Sequence, residues 1–305
     1  MGGNARPAAP DLYLVPLPQD LPGFGSFISA WVYTGGPCFV VDPGPSATVP
    51  LLVSALNALG VKSLDFILLT HAHIDHAGGA GGLARAMGRP RVACHPKAMP
   101  HLADPSRLWE ASKKTLGHMA EAYGPITPVD QELLTDPLST ELPGISAIPT
   151  PGHAPHHISY GRGPFLFAGE AAGVRLPLNG GGYVLRPATP PRFFFDVTLK
   201  SLRALGEVEH ETLCYGHVGL TSHSARNRAD HEEQLGRWLA IMEEVHRQTS
   251  DQRERVDAGL SRLLSEDPLL AGFSRFSPEE AGRERYFVKN SVRGFMGYLD
   301  ERGRG

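Results

Sequence analysis

His71-Ala72-His73-Ile74-Asp75-His76 places four potential metal ligands in six consecutive positions. Three imidazoles and a carboxylate at that density gain little as surface decoration. They make sense around one or two divalent metals, for which neutral imidazole and ionised carboxylate are suitable donors. The run before it, Phe66-Ile67-Leu68-Leu69-Thr70, is apolar with β-branched and aromatic members and reads as a buried strand. The run after it, Ala77-Gly78-Gly79-Ala80-Gly81-Gly82-Leu83, is glycine-rich and then helical in character. The ligands therefore fall on a loop at the carboxyl end of a strand, where α/β proteins place chemistry. His71 and His73 are two positions apart, so in extended backbone they face one side and can share a metal. Asp75 and His76 lie beyond them and can turn toward a second.

Further ligand candidates follow in order. His153 stands in Pro149-Thr150-Pro151-Gly152-His153-Ala154-Pro155-His156-His157, where proline and glycine fix a tight loop. Gly169-Glu170 follows the apolar run Phe165-Leu166-Phe167-Ala168. His217 lies in Tyr215-Gly216-His217-Val218-Gly219, after the strand-like Thr212-Leu213-Cys214-Tyr215. Each candidate closes a strand and opens a glycine-containing loop.

This series resembles the metallo-β-lactamase-fold hydrolase superfamily, whose signature is H-x-H-x-D-H followed by a His, an acidic residue and a last His. The resemblance covers residues 12 to 245. It implies that His71, His73 and His153 hold one metal and that Asp75, His76 and His217 hold the other. It puts Glu170 at the bridging acidic position, where relatives usually carry Asp; the extra methylene leaves open whether Glu170 bridges or binds a single metal. Val40-Val41-Asp42-Pro43-Gly44 matches an early Asp-x-Gly element. By the same resemblance, Asp42 and Asp65 are candidates for orienting ligand histidines. The alternative for both is turn chemistry or a strand-start cap.

Composition bounds the rest. The chain has 305 residues, 41% hydrophobic and 20% charged, an ordinary globular balance. With 29 basic against 32 acidic residues, net −3, it lacks the electrostatic footprint of a nucleic-acid binder. Cys38, Cys94 and Cys214 form no C-x-x-C pair, which suggests a reducing, cytoplasmic setting. Cys214 reads as a small buried strand residue. Met1 to Pro10 lacks a signal-peptide core and is expected to be disordered. No stretch approaches the roughly 18 apolar residues that span a bilayer, so no membrane partner is expected.

Residues 11–16, 27–34 and 37–42 read as early strands. Leu51, Leu52, Leu56 and Leu59 lie on one helix face ended by Gly60. Residues 100–124 break the strand rhythm: Leu108, Trp109, Ser112, Leu116, Met119 and Tyr123 suggest one or two helices, either core or an overhanging substrate wall. Residues 175–195 carry Asn179-Gly180-Gly181-Gly182-Tyr183 and Arg186-Pro187. This reads as a mobile substrate loop with Tyr183 and Arg186 as substrate-binding candidates, or else as an ordinary surface excursion. Leu235, Trp238, Leu239, Met242 and Val245 form a helical stripe. Ser277-Pro278-Glu279-Glu280 is a capping-box start, and Val288, Val292, Phe295 and Leu299 mark a closing helix.

The expected fold is the four-layer αββα sandwich, two mixed sheets face to face with helices outside. A metallo-β-lactamase-like domain over 11–250 is followed by a helical extension over 251–305, which would cover the site or form a homodimer contact. Resemblance to the family's thioesterase and lactonase branches implies hydrolysis of a small-molecule thioester, ester or lactone by metal-bound hydroxide, with Asp75 accepting a hydrogen bond from it as well as binding metal. Two divalent ions are expected, zinc first, with iron or manganese open. A mononuclear iron persulfide dioxygenase is the alternative enzyme, and a metal-stabilised binding protein without turnover is the alternative from another class.

Overall fold

The computed structural model describes residues 5–190 and 192–303. A seven-stranded sheet runs in chain order: β1 (Arg6–Ala9), β2 (Leu12–Pro16), β3 (Ser29–Tyr33), β4 (Phe39–Val41), β5 (Phe66–Leu68), β6 (Arg91–Ala93) and β7 (Leu134–Thr135). The first four strands pair antiparallel and the last three add in parallel. Helices α1 (Val49–Ala58), α2 (Ile74–Ala77), α3 (Ala80–Ala86), α4 (Met99–Ala103), α5 (Ser106–Leu116) and α6 (His118–Tyr123) lie between these strands in the chain.

The second sheet uses β8 (Ser146–Pro149), β9 (Ile158–Arg162), β10 (Phe165–Gly169), β13 (Thr212–Tyr215) and β14 (Leu220–Thr221), in the spatial order β14-β13-β10-β9-β8. β11 (Val174–Pro177) and β12 (Tyr183–Arg186) form a separate hairpin. Four helices complete the chain: α7 (Phe195–Ala204), α8 (Ser224–Gln248), α9 (Gln252–Glu266) and α10 (Pro278–Arg302).

Side-chain alternation along the strands builds the layers. Phe39, Val41, Phe66 and Leu68 point inward and meet Tyr160, Phe165, Phe167 and Cys214 of the second sheet. The intervening Val40 and Ile67 point outward onto Leu52, Leu56 and Leu83 of α1 and α3. On the opposite outer face, Leu166 and Leu213 meet Leu202, Leu235 and Trp238 of α7 and α8, with Phe295 of α10. The result is the α/β/β/α sandwich that the family resemblance implies. No helix among the described residues is long and apolar enough to cross a membrane.

Two expectations need correction. Disorder over residues 1–10 does not hold for Arg6–Ala9, which pair with β2 as an edge strand; residues 1–4 lie outside the described residues. An edge strand needs only backbone pairing, tolerates Pro7 and leaves no apolar alternation to read. The stretch around Asn179–Gly182 is the turn of a paired hairpin rather than an unpaired loop. Gly180, Gly181 and Gly182 take φ of 78°, 95° and 82°, and they close the β11–β12 hairpin. Glycine there meets a conformational requirement of the turn. Pro191, in the same stretch of sequence, lies outside the described residues.

Candidate metal centre

The strand ends of both sheets converge on one edge of the sandwich. His71 and His73 leave β5 in extended backbone, and Asp75 and His76 follow in the one-turn helix α2. His153 lies beyond β8, Glu170 directly follows β10, and His217 follows β13. Their donor atoms form two groups, His71–His73–His153–Glu170 and Asp75–His76–His217, each within 4.8 Å. Glu170 also reaches the second group: its Oε1 lies 3.0 Å from His217 Nε2 and its Oε2 lies 3.7 Å from His76 Nε2.

The remaining ring nitrogens decide which atoms face the cluster. Thr70 Oγ1 donates to Asp42 Oδ2 at 2.6 Å, so it accepts from His71 Nδ1 at 3.0 Å. His76 Nδ1 donates to the same Asp42 oxygen at 2.9 Å. His153 Nδ1 donates to the Ala188 carbonyl at 2.8 Å. With Nδ1 engaged in this way, each of these three rings turns Nε2 inward, the atom through which it would bind a metal. His73 Nδ1 lies 2.9 Å from both His71 Nε2 and His153 Nε2, and His153 Nε2 lies 2.7 Å from Glu170 Oε2. Lone pairs that close repel unless a cation sits among them. His76 Nε2 is buried with no hydrogen-bond partner. The donors fit a divalent metal in each group.

Electrostatics point the same way. Burial, reinforced by the neighbouring imidazoles, holds His71 well below the ordinary histidine range and His73 at about 3. Both are neutral donors at pH 7. Burial alone would raise the Glu170 carboxyl, but His153 and His217 override it and hold Glu170 well below the carboxylate range. Burial likewise opposes charge on His76, yet Asp75 and Asp42 raise it to about 10. A cation on Nε2 would answer the same two carboxylates as that proton.

Several participants were not singled out from the sequence. Thr70 links Asp42 to His71. His157, fully buried, hydrogen-bonds Thr150 Oγ1 through Nδ1 at 2.8 Å and accepts the Glu170 amide at Nε2, 3.2 Å away. Its place in the proline-flanked loop beside His153 was the available signal. Ser291 of α10 donates to the Pro187 carbonyl and Thr189 Oγ1 donates to the Ser291 carbonyl, both at 3.1 Å. This clamp fixes the segment whose Ala188 carbonyl orients His153.

Other expected residues fall elsewhere. Asp65 accepts from the Cys38 amide at 2.7 Å, at the start of β4, and touches no ligand histidine. Tyr183 sits in β12 with Arg175 over its ring at 4.1 Å, and its hydroxyl accepts from Asn227 Nδ2 at 3.0 Å. It is not among the residues that line the cleft beside the metal ligands. Arg186 does line that cleft. Its Nε donates to buried Glu284 at 2.5 Å, and Arg283 holds the other Glu284 oxygen at 2.7 Å. Tyr123 of α6, nearly buried, also lines the cleft.

Residues 23–217 match the metallo-beta-lactamase superfamily, and the chain belongs to that family. It is 31% identical over 192 residues to a metallo-beta-lactamase fold-containing protein of Sulfurisphaera tokodaii, covering 59% of this chain and 71% of that one. It is 32% identical over 185 residues to a hydroxyacylglutathione hydrolase of Acidiphilium cryptum, covering 60% of this chain and only 61% of that relative. The fold is shared with the crystal structure of an archaeal superfamily protein from Sulfolobus tokodaii, at a TM-score of 0.64 and 23% identity over 95% of this chain and 99% of the other.

Proposed function

We propose that this chain is a hydrolase that holds two divalent metals, zinc first, and opens a thioester, ester or lactone carbonyl of a small molecule. The observation that carries the reading is the meeting of two donor groups at Glu170, with bare ring nitrogens facing one another. Metals held there supply Lewis acidity and a water whose pKa falls toward about 7. The chain's own residues do the rest. Asp42 and Thr70 fix two imidazoles, and Ala188 fixes a third. Asp75, half-buried at the cleft, presents a carboxylate oxygen that can orient the attacking water and hold its proton. Arg186, Arg283 and Glu284 together carry one surplus positive charge, almost wholly buried, beside the cleft. A buried surplus of that kind fits an acidic group on the substrate. The hydroxyacylglutathione hydrolases among the relatives favour acyl hydrolysis. Three free cysteines suit a reducing, cytoplasmic setting.

The test is elemental analysis of purified protein, paired with a panel of thioesters, lactones and phosphodiesters. We expect two metal equivalents and turnover of the acyl substrates. His71→Ala and His76→Ala should each lose metal, from different groups. Glu170→Gln should weaken both, because a neutral amide is a poor donor for hard divalent ions. One iron per chain with oxygen uptake on a thiol persulfide would overturn the reading.

A further inference from the structure

Helix α5 has an unusual position. None of its residues is buried in full, although Leu108, Ala111, Ser112 and Thr115 share one face at helical spacing. That face, continued by Leu116 and Met119, is turned toward a cavity of about 340 Å³. Leu108, Leu116 and Met119 touch the edge of the outer core and stay half-buried. The same cavity is lined by residues of the metal centre, His73, Asp75 and His217.

An aromatic stack leads from the metal centre to the cavity wall. Phe27 stacks on His217 with ring centroids 4.2 Å apart, and Phe287 of α10 stacks on Phe27 at 5.3 Å. Phe287 also lines the cavity. A group that extends from the metal centre into this cavity meets both Phe287 and the α5 stripe. The charged and amide positions, Arg186 and Asn290, come from β12 and α10, whereas α5 adds only the hydroxyls of Ser112 and Thr115 beside Leu108, Ala111 and Leu116. The lining is therefore divided, with an uncharged and mostly apolar wall supplied by α5 and α6.

We propose that this wall is an acyl-chain subsite: the substrate carries a straight apolar chain of medium length on the carbonyl that the metal ligands address. The proposal rests on the hydrolase reading above. At about 30 Å³ per water-sized group, the cavity has room for roughly ten non-hydrogen atoms, enough for an acyl chain of on the order of eight carbons beside the carbonyl. Leaving the stripe wet is unfavourable, and a chain that covers it gains the transfer of each methylene out of water.

The experiment uses the metal-loaded protein and thioesters of one thiol, from acetyl to decanoyl. kcat/KM should rise about two- to fourfold per added methylene through octanoyl, the effect of burying one CH2, and then level off. Ala111→Trp fills the cavity from a helix with no buried residues, and it should lower the decanoyl-to-acetyl ratio of kcat/KM at least tenfold. In parallel, calorimetry follows binding of straight-chain carboxylates from acetate to decanoate, which requires no turnover. Thioester turnover that is flat or falling with chain length overturns the subsite. No turnover, with carboxylate binding that tightens with length, rejects the hydrolase reading and keeps the subsite. No turnover and no length dependence rejects both.

Discussion

Asp42 takes a backbone φ of 51°, in the left-handed region that L side chains other than Asn and Asp rarely adopt. The conformation costs on the order of 1–2 kcal/mol. It is offset by the contacts that it allows: the Asp42 carboxylate accepts from the Thr70 amide at 2.8 Å, from Thr70 Oγ1 and from His76 Nδ1. One strained residue thus sets two metal-facing imidazoles. Asp42 was legible as a support residue through the resemblance of its strand-end Asp-Pro-Gly to the family's Asp-x-Gly element. Asp65 looked similar in sequence and is only a strand-entry acceptor, because partner identity depends on packing that spacing does not encode. The two tyrosines make the same point. Tyr183 has its hydroxyl occupied by Asn227 and its ring by Arg175. The Tyr123 hydroxyl makes no side-chain hydrogen bond among the described residues, and burial, then the Asp75 charge, raises it well above the ordinary tyrosine range. A donor near a developing oxyanion is worth roughly 10²–10³ in rate when well placed. We expect Tyr123→Phe to lower kcat by about tenfold or more with metal content intact, and Tyr183→Phe to leave kcat within twofold. Steady-state kinetics beside elemental analysis decides it, and the reverse pattern would return the role to Tyr183.

The elements were read most securely where two periods agreed with one another. β4, β5 and β10 are three to five residues long, and their alternation sends Phe39, Phe66 and Phe167 inward while Val40, Ile67 and Leu166 face the helices. The capping box at Ser277 was equally plain: its hydroxyl accepts the Glu280 amide at 3.2 Å, and Glu280 returns the bond to the Ser277 amide at 2.9 Å. The β11–β12 hairpin was hidden because a glycine run reads as mobility until its ends are seen to pair. Helix α10 also shows how context reverses propensity. Alanine is favoured over glycine inside a helix by about 1 kcal/mol. At exposed Gly282 nothing lies within 4 Å of an added Cβ, so Gly282→Ala should raise stability by about that amount. At Gly294 the same atom would stand 2.4 Å from the Pro190 carbonyl oxygen and 3.1 Å from Thr189 Oγ1. Backbone there cannot yield cheaply, and the overpacking cost of typically 1–3 kcal/mol exceeds the gain. Gly294→Ala should therefore lower the unfolding midpoint and loosen the segment that presents Ala188 to His153, which a chelator competition would register as weaker metal binding. Equal stabilisation by both substitutions would refute this account.

At the scale of the whole molecule, three apolar layers hold the sandwich together, and a buried polar network fastens the helical tail to it. Gln234 of α8 donates through Nε2 to the Leu185 carbonyl of β12 and to Asp267 Oδ2, both at 2.6 Å. Trp238 Nε1 donates to the same Asp267 oxygen at 2.6 Å, and Arg237 reaches Oδ1 at 3.2 Å. Asp267 also caps the 3-10 turn that leads toward α10. His231 completes the network by donating Nδ1 to Gln234 Oε1 at 2.9 Å. Burial lowers His231 to about 4, against weaker opposing effects of the Gln234 hydrogen bond and the Asp267 charge. The folded chain therefore keeps this imidazole neutral where the unfolded chain, titrating near 6.5, takes up a proton. Above pH about 6.5 both states are neutral there, and His231 adds no pH dependence. As pH falls from about 6.5 to 4, the unfolded state binds the extra proton, and stability is lost at up to roughly 1.4 kcal/mol per pH unit from this residue. His231→Gln retains a polar side chain and cannot titrate. Denaturant melts of both proteins across pH 4 to 8, with metal saturating, should give a shallower acid loss in the variant by on the order of 3 kcal/mol at pH 4. The difference isolates His231, since the metal-facing histidines are common to both chains. Superimposable pH profiles would mean that His231 is protonated in the fold, and that Gln234 and Asp267 hold a charged ring against its burial.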